Sequence, residues 1–420
     1  MKVLWFINVP TNEAAEYLGY QGLNIGGWFE ALKEELRKIN DISLAIAFSN
    51  YDSREESFVI NNIKYYKIPY LLPTKGIKSI IVRLTHRLEP LECVNYYLKV
   101  VEDFKPDVIQ IFGTERNYGL IINKVNVPCI IHIQGVLNEI IKKYFSGISK
   151  LDIIFKGDFR RLLYGNSVLH YYYYLKKQSK RELEIFKTCK YFIGRTNWDE
   201  NIVKQLSPNS LYYHCDEIMR EEFYTVSWKA NKNNFKRIFS TFGAQNYKGL
   251  EILSQVSLIL NKIKKINVTF RIGGLSERDE VFKIVVNKYG KEVKNYIKPL
   301  GRLKPNEIIS EMLKSDLFLH ASHIDNSPNS VCEAMLIGVP VVSTDVGGIS
   351  SLIENNVDGL LVPIGNIEML TESILKILNN KELAIKLSNN AKNRARARHD
   401  KSSIVKNLIS IYRKLLDQNK

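Results

Sequence analysis

The chain has 420 residues, of which 45% are apolar and 25% charged, proportions that exclude a disordered or collagen-like protein and fit a soluble globular one. At roughly 150 residues per domain the length suggests two or three domains. The formal net charge of +16 implies an anionic partner: nucleic acid, an anionic membrane face or a phosphorylated substrate.

In chain order, Met1 to Val9 is too short an apolar run for a signal peptide and reads as a first buried strand. Gly22, Gly26 and Gly27 form a loop before an amphipathic helix from Trp28 to Ile39. Strands are predicted at Ile42–Phe48, in a pair around Phe58–Tyr66, and at Asp107–Phe112, Cys129–Ile133 and Tyr191–Gly194, with a helix at Tyr96–Phe104. Continuous apolar strands between helices imply a parallel sheet covered on both faces. After the polar stretch Lys229–Lys236 the pattern restarts. Strands at Arg237–Phe242, Val268–Ile272, Leu317–His320, Val341–Ser343 and Leu360–Val362 alternate with helices, and Ser402–Leu416 is a last amphipathic helix. The fold class is α/β, with two doubly wound domains in tandem. No apolar run reaches the ~18 residues of a membrane-spanning helix. Cys93, Cys129, Cys189, Cys215 and Cys332 form no CxxC pair, and no HExxH occurs, so neither a disulfide framework nor a metal is expected.

Charge is uneven. Residues 142–190 carry twelve Lys or Arg against four acids, around the aromatic run Tyr171–Tyr174. One reading is a helix that buries some Tyr and solvates its Lys. The other is a surface that docks on lipid headgroups. Nucleic acid is not the expected partner, because no reader module is recognisable.

The most informative segment is 321–363. A strand ends near Ala321, a loop follows, and a helix starts near Pro328 to Ser330, residues suited to a cap and first turn. A helix N-terminus directly after a parallel strand is a ready anion site. Asp325 and Glu333 bracket it. Glu333 sits on an otherwise apolar helix and needs partners; vicinal ribose hydroxyls are suitable ones. Helix-cap and turn-forming roles are the plain alternatives for the two acids.

Glu333–Ala334–Met335, Gly338–Val339–Pro340–Val341–Val342, Gly347–Gly348 and Gly359–Leu360–Leu361–Val362 together resemble the signature of the retaining glycosyltransferases of family four, also called glycosyl transferases group 1. The resemblance implies the GT-B fold: two Rossmann-like domains facing a cleft, with a C-terminal helix crossing back to the first. The expected domains are 1–228 for the acceptor, 229–400 for a nucleotide-sugar, and 401–420 for the returning helix. By this likeness the chain is a metal-independent glycosyltransferase, a hexosyl- or related transferase, without cofactor. Its donor is expected to be UDP- or GDP-linked, its acceptor a glycan or lipid-linked glycan, and its role bacterial surface polysaccharide biosynthesis. The expected location is cytoplasmic, with residues 142–190 peripheral on the inner face of the membrane. A nucleotide-sugar epimerase of the same fold and a non-catalytic sugar-nucleotide binder are the rival readings.

The resemblance also implies roles. Glu333 holds the ribose. Asp325, where the family has Glu, addresses the donor sugar and diphosphate with Asn326, Ser327, Pro328, Asn329 and Ser330. Lys248, in Lys248–Gly249, offsets charge on the leaving diphosphate. The family's neighbouring Arg is absent, Gly243 standing near its position, and Arg302 is a candidate replacement. In the first domain Gly26 and Gly27 allow close backbone approach. Glu115 and Gln134 end strands at cleft positions, Gln134 standing where the family often has His; His132 is read as a core residue. Arg195 is placed to reach the cleft, while Thr196 and Asp199 form a capping box and Glu217 pairs with other side chains.

Overall fold

The computed structural model describes residues 1–20, 27–50, 54–230 and 235–418. The chain divides into two compact units. The first comprises residues 1–138, 173–220 and 399–420; the second comprises 139–172 and 221–398.

The first unit holds an eight-stranded sheet. Its strands are β1 (Lys2–Ile7), β2 (Ser43–Asn50), β3 (Glu56–Ile60), β4 (Ile63–Pro69), β5 (Val108–Phe112), β6 (Cys129–His132), β7 (Tyr191–Gly194) and β8 (Leu211–His214). Their spatial order is β3-β4-β2-β1-β5-β6-β7-β8, and β3 alone runs antiparallel, against β4. Val3 to Ile7 are all buried, as a strand covered on both faces requires. One face packs the helix Cys93–Phe104 and residues Ile185 and Phe186. The other packs the helix Gly27–Arg37 and the C-terminal helix Lys401–Asp417, which buries Ile404, Leu408, Ile411, Tyr412 and Leu415. Tyr412 Oη accepts from Trp5 Nε1 at 3.1 Å and donates to Gln110 Oε1.

The second unit holds a six-stranded parallel sheet, β9 (Lys236–Thr241), β10 (Val268–Gly273), β11 (Ile297–Gly301), β12 (Leu317–His320), β13 (Val341–Asp345) and β14 (Leu360–Pro363). The order is β11-β10-β9-β12-β13-β14. The chain winds outward from β9 to β11, then returns to β12 on the other side of β9, so the winding reverses between β9 and β12.

The expected boundary at residue 228 is displaced. Residues 139–172 and 221–228 fold with the second unit, and the contacts say why. Asp152 pairs with Lys288 at 2.8 Å and Lys156 at 3.0 Å. Asn246 Nδ2 donates to the carbonyls of Tyr144 and Ile148 at 2.6 and 3.0 Å. The Val168 N–H donates to Glu280 at 2.7 Å. Trp228 donates through its backbone to Ile337 O and through Nε1 to Ser315 O.

Candidate functional site

In parallel α/β sheets ligands settle at the carboxyl edge where the winding reverses. Here that edge is lined by two loops of the second unit, 242–249 after β9 and 321–328 after β12. Backbone contacts lock them together. The His323 N–H donates to Tyr247 O at 2.9 Å, and Ser322 Oγ lies within hydrogen-bond reach of Tyr247 O and Ile324 O. Gly249 takes a positive φ of 78°, and a Cβ there would sit 1.8 Å from Ala321 O, so only glycine fits.

This packing brings Lys248 and Asp325 together, though 77 residues separate them. Lys248 Nζ lies 2.7 Å from Asp325 Oδ2. The same oxygen faces His320 Nε2 at 3.1 Å, and His320 Nδ1 lies 3.1 Å from Ser343 Oγ. Burial works to raise the Asp325 pKa, yet Lys248 and His320 hold the carboxyl well below the usual carboxylate range. It is a fixed anion, not a proton donor. Its main-chain oxygen accepts from the Gly348 N–H at 3.0 Å, and a Cβ on Gly347 would sit 1.8 Å from it. The paired glycines thus seat the Asp325 turn.

Asn326 and Ser327 are buried in this turn. Pro328 occupies the cap position of the helix Asn329–Ile337 without a side-chain capping bond. The first N–H groups, at Asn329 and Ser330, have no carbonyl partner within the helix. They make the positive end of the dipole at the carboxyl edge. Glu333 lies one turn further, buried at 6% exposure. Gly243 follows β9 on the same loop as Lys248. Arg302 is exposed after β11, the edge strand, two places from β9.

In the first unit, Gln134, Arg195 and Glu217 converge. Arg195 forms an ion pair with Glu217, both nearly fully buried, and also donates to the carbonyls of Ile133 and Gln134 at 3.3 Å. Gln134 Nε2 donates to Glu217 Oε1 at 3.2 Å. Burial raises the Glu217 carboxyl pKa, against the pull of Arg195. Arg195 thus spends much of its guanidinium on protein groups. His132 is buried against Trp28 and Phe112, and burial with the Arg195 charge keeps its imidazole neutral. Glu115 is within 3.4 Å of Asn8 Nδ2, and burial raises its pKa. Gly27 opens the helix Gly27–Arg37, and a Cβ there would collide with the Arg220 side chain. Gly26 lies outside the described residues. Thr196 and Asp199 form the capping box.

Sequence reasoning missed three second-unit residues. His320 anchors Asp325; Glu251 bonds His323 at 2.5 Å; and Gly147 leaves the room both occupy, since a Cβ there would sit 1.9 Å from Glu251. A His as the last residue of an apolar strand, five before an Asp, was the available signal for the first.

Comparison with known proteins bears on the fold and on the class of chemistry. Residues 225–394 match the model of "Glycosyl transferases group 1". The family match and the relatives below support a glycosyltransferase, and similarity to solved glycosyltransferase structures supports the GT-B fold. The chain is 24% identical over 371 residues, 88% of its length and 89% of the relative's, to the uncharacterized glycosyltransferase MJ1178 of Methanocaldococcus jannaschii. It is 36% identical over 93 residues, 20% of its length and 23% of the relative's, to the amylovoran biosynthesis glycosyltransferase AmsK of Erwinia amylovora. In fold it is similar to Anabaena Alr3699/HepE in complex with UDP, with a TM-score of 0.63, 15% identity, and 99% of this chain and 100% of that one covered.

Proposed function

We propose that the chain transfers a sugar from a nucleotide-sugar to a glycan or lipid-linked glycan, with retention of configuration, in bacterial surface polysaccharide assembly. The observation that carries the reading is the Lys248–Asp325 ion pair at the point where the sheet's winding reverses, beside the helix that bears Glu333. Glu333 accepts from the ribose hydroxyls. Asp325 and the N–H groups of Asn329 and Ser330 address the donor sugar and diphosphate, with Asn326, Ser327 and Pro328 shaping the turn and Gly243 the facing loop. In the reaction the bond from the anomeric carbon to the diphosphate oxygen breaks, and a bond to the acceptor hydroxyl oxygen forms on the same face. The departing phosphate oxygen takes the acceptor proton. Negative charge grows on the diphosphate, and Lys248 with the helix N-terminus opposes it, so no divalent ion is required. Arg302 contributes only if the loop after β11 brings it closer.

Gly27, Glu115 and Gln134 of the first unit are assigned to the acceptor. The exposed basic residues within 142–190 are assigned to an anionic membrane surface on the cytoplasmic side. A UDP-linked donor is favoured by the UDP complex of the similar Anabaena protein, with GDP the alternative. Amylovoran biosynthesis, named for a relative, supports the polysaccharide role.

The test is thermal unfolding against UDP, GDP, ADP, CMP and dTDP, for wild type and Glu333→Ala. A ligand at a hundred times its Kd adds about 2.7 kcal/mol, a rise of a few degrees. One nucleotide should raise the melting temperature of the wild type and not of the variant. No shift with any nucleotide overturns the donor-site reading.

A further inference from the structure

In the helix Lys150–Lys156 the usual amphipathic order is inverted. Asp152 and Ile153 are buried, whereas Leu151, Ile154 and Phe155 are 65%, 45% and 80% exposed. Those three stand at i, i+3 and i+4 and share one helix face. Two residues later the helix Phe159–Leu163 repeats the pattern: Phe159 and Leu163, one turn apart, are 68% and 55% exposed. Scattered exposed apolar residues are ordinary, but five on consecutive helices mark an interaction surface.

Its charge is one-sided. Residues 139–172 contain six Lys or Arg and three acids, and each acid is already paired. Glu139 bonds Lys142 at 2.5 Å, Asp152 bonds Lys156 and Lys288, and Asp158 bonds Lys283 at 2.9 Å. Lys150 and Arg160 are exposed on these two helices, and Lys142 and Lys143 on the helix before them. The Tyr run that suggested lipid contact is in part structural. Tyr172 packs on Tyr144 and Phe145 beneath Lys150, and Tyr174 Oη accepts from Gln178.

We propose that Leu151, Ile154, Phe155, Phe159 and Leu163 insert into the interfacial zone of an anionic phospholipid bilayer, with Lys142, Lys143, Lys150 and Arg160 on its headgroups. Bulky apolar side chains enter the headgroup boundary while basic ones keep their charge at the phosphates. The choice of a bilayer rests on the lipid-linked acceptor reading above, and deepens it by naming the docking element. That element belongs to the unit of the candidate donor site, because Asn246, two residues before Lys248, is held by the carbonyls of Tyr144 and Ile148.

The test is co-sedimentation of the full chain, without donor or acceptor, with vesicles of phosphatidylcholine alone or mixed with phosphatidylglycerol. Its outcome is therefore independent of the transferase reading. Binding should rise about tenfold or more with the anionic lipid, and fall with salt. Phe155→Ser/Phe159→Ser and Lys143→Glu/Arg160→Glu should each cut it by about tenfold with the melting temperature unchanged, since these side chains are exposed. Three results overturn the proposal. One is no vesicle binding by the wild type. Another is equal binding by the variants, with loss instead in Ile77→Ser/Ile81→Ser, whose apolar side chains are exposed on the first unit's helix Gly76–Leu84. The third is a wild-type dimer in sedimentation velocity that Phe155→Ser/Phe159→Ser converts to monomer.

Discussion

Asp325 Oδ2 is shared by an ammonium and an imidazole, and that sharing fixes both the charge and the aim of the carboxylate. Removing Lys248 leaves a mostly buried anion with one partner and strips the growing diphosphate charge of its nearest cation. Lys248→Ala and Asp325→Asn should each lower turnover by about 10²–10³-fold, measured as steady-state sugar transfer once the donor is identified. An unchanged kcat in either variant removes that residue from the chemistry. Both residues were legible in the sequence, because each sits in a spaced motif. Their contact was not, since nothing in one chain says that loops 77 residues apart meet. His320 escaped for a different reason. In an apolar strand a single His reads as core, and only the seating of Asp325 by Gly347 and Gly348 shows that it faces a carboxylate. Arg195 lies at a strand's end, as its sequence position suggested, and Glu217 and two carbonyls hold its guanidinium there, which no local motif foretold.

At the scale of elements, the helix Leu137–Lys143 begins on a carboxylate from far along the chain. Glu182 accepts from the Leu137 N–H at 2.9 Å, from Asn138 N–H and Nδ2 at 2.8 and 2.6 Å, and from Thr114 Oγ1 at 2.5 Å. Burial outweighs these bonds and pushes its pKa up to about 7. The folded state thus keeps a proton that the unfolded chain, with Glu near its ordinary value of about 4.3, releases earlier. Its contribution is full below that value and is lost as pH rises toward 7. The gap in melting temperature between wild type and the neutral Glu182→Gln should narrow by a few degrees from pH 5 to pH 8. A gap that widens means that the four donors hold the ionised form. Helix starts of local origin were readable: the Thr196–Asp199 box lies within three residues of what it satisfies, and Pro328 directly precedes the helix it opens. A cap supplied from 44 or more residues away leaves no such trace, and neither does the short edge strand β8, none of whose residues is buried.

For the whole molecule, periodicity revealed two parallel sheets but misplaced the seam. Composition does not mark the crossings at 138/139 and 172/173, because residues 139–172 are helical and basic and so are residues 173–190; only Asp152, Asn246 and Glu280 show which sheet the first of these stretches serves. The C-terminal helix gives the sharpest test. It supplies five buried apolar side chains to the first unit, each worth roughly 1.5–3 kcal/mol, a total comparable with the stability of a whole domain. A chain ending at Arg398 should lose the first unit's unfolding transition, while the nucleotide-dependent shift persists, since Lys248, Asp325 and Glu333 all lie in the second. Loss of that shift with the first transition intact would contradict this division.

The same partition bears on how the protein is made. The backbone passes between the units four times, at 138/139, 172/173, 220/221 and 398/399. On a ribosome adding ~5–20 residues per second, β1 emerges tens of seconds before Tyr412, the residue that joins Trp5 to Gln110. Throughout that interval the part of the sheet face that the C-terminal helix covers stays bare beside the helix Gly27–Arg37, an apolar surface of the kind chaperones bind. The unit that is synthesised first is the last to close.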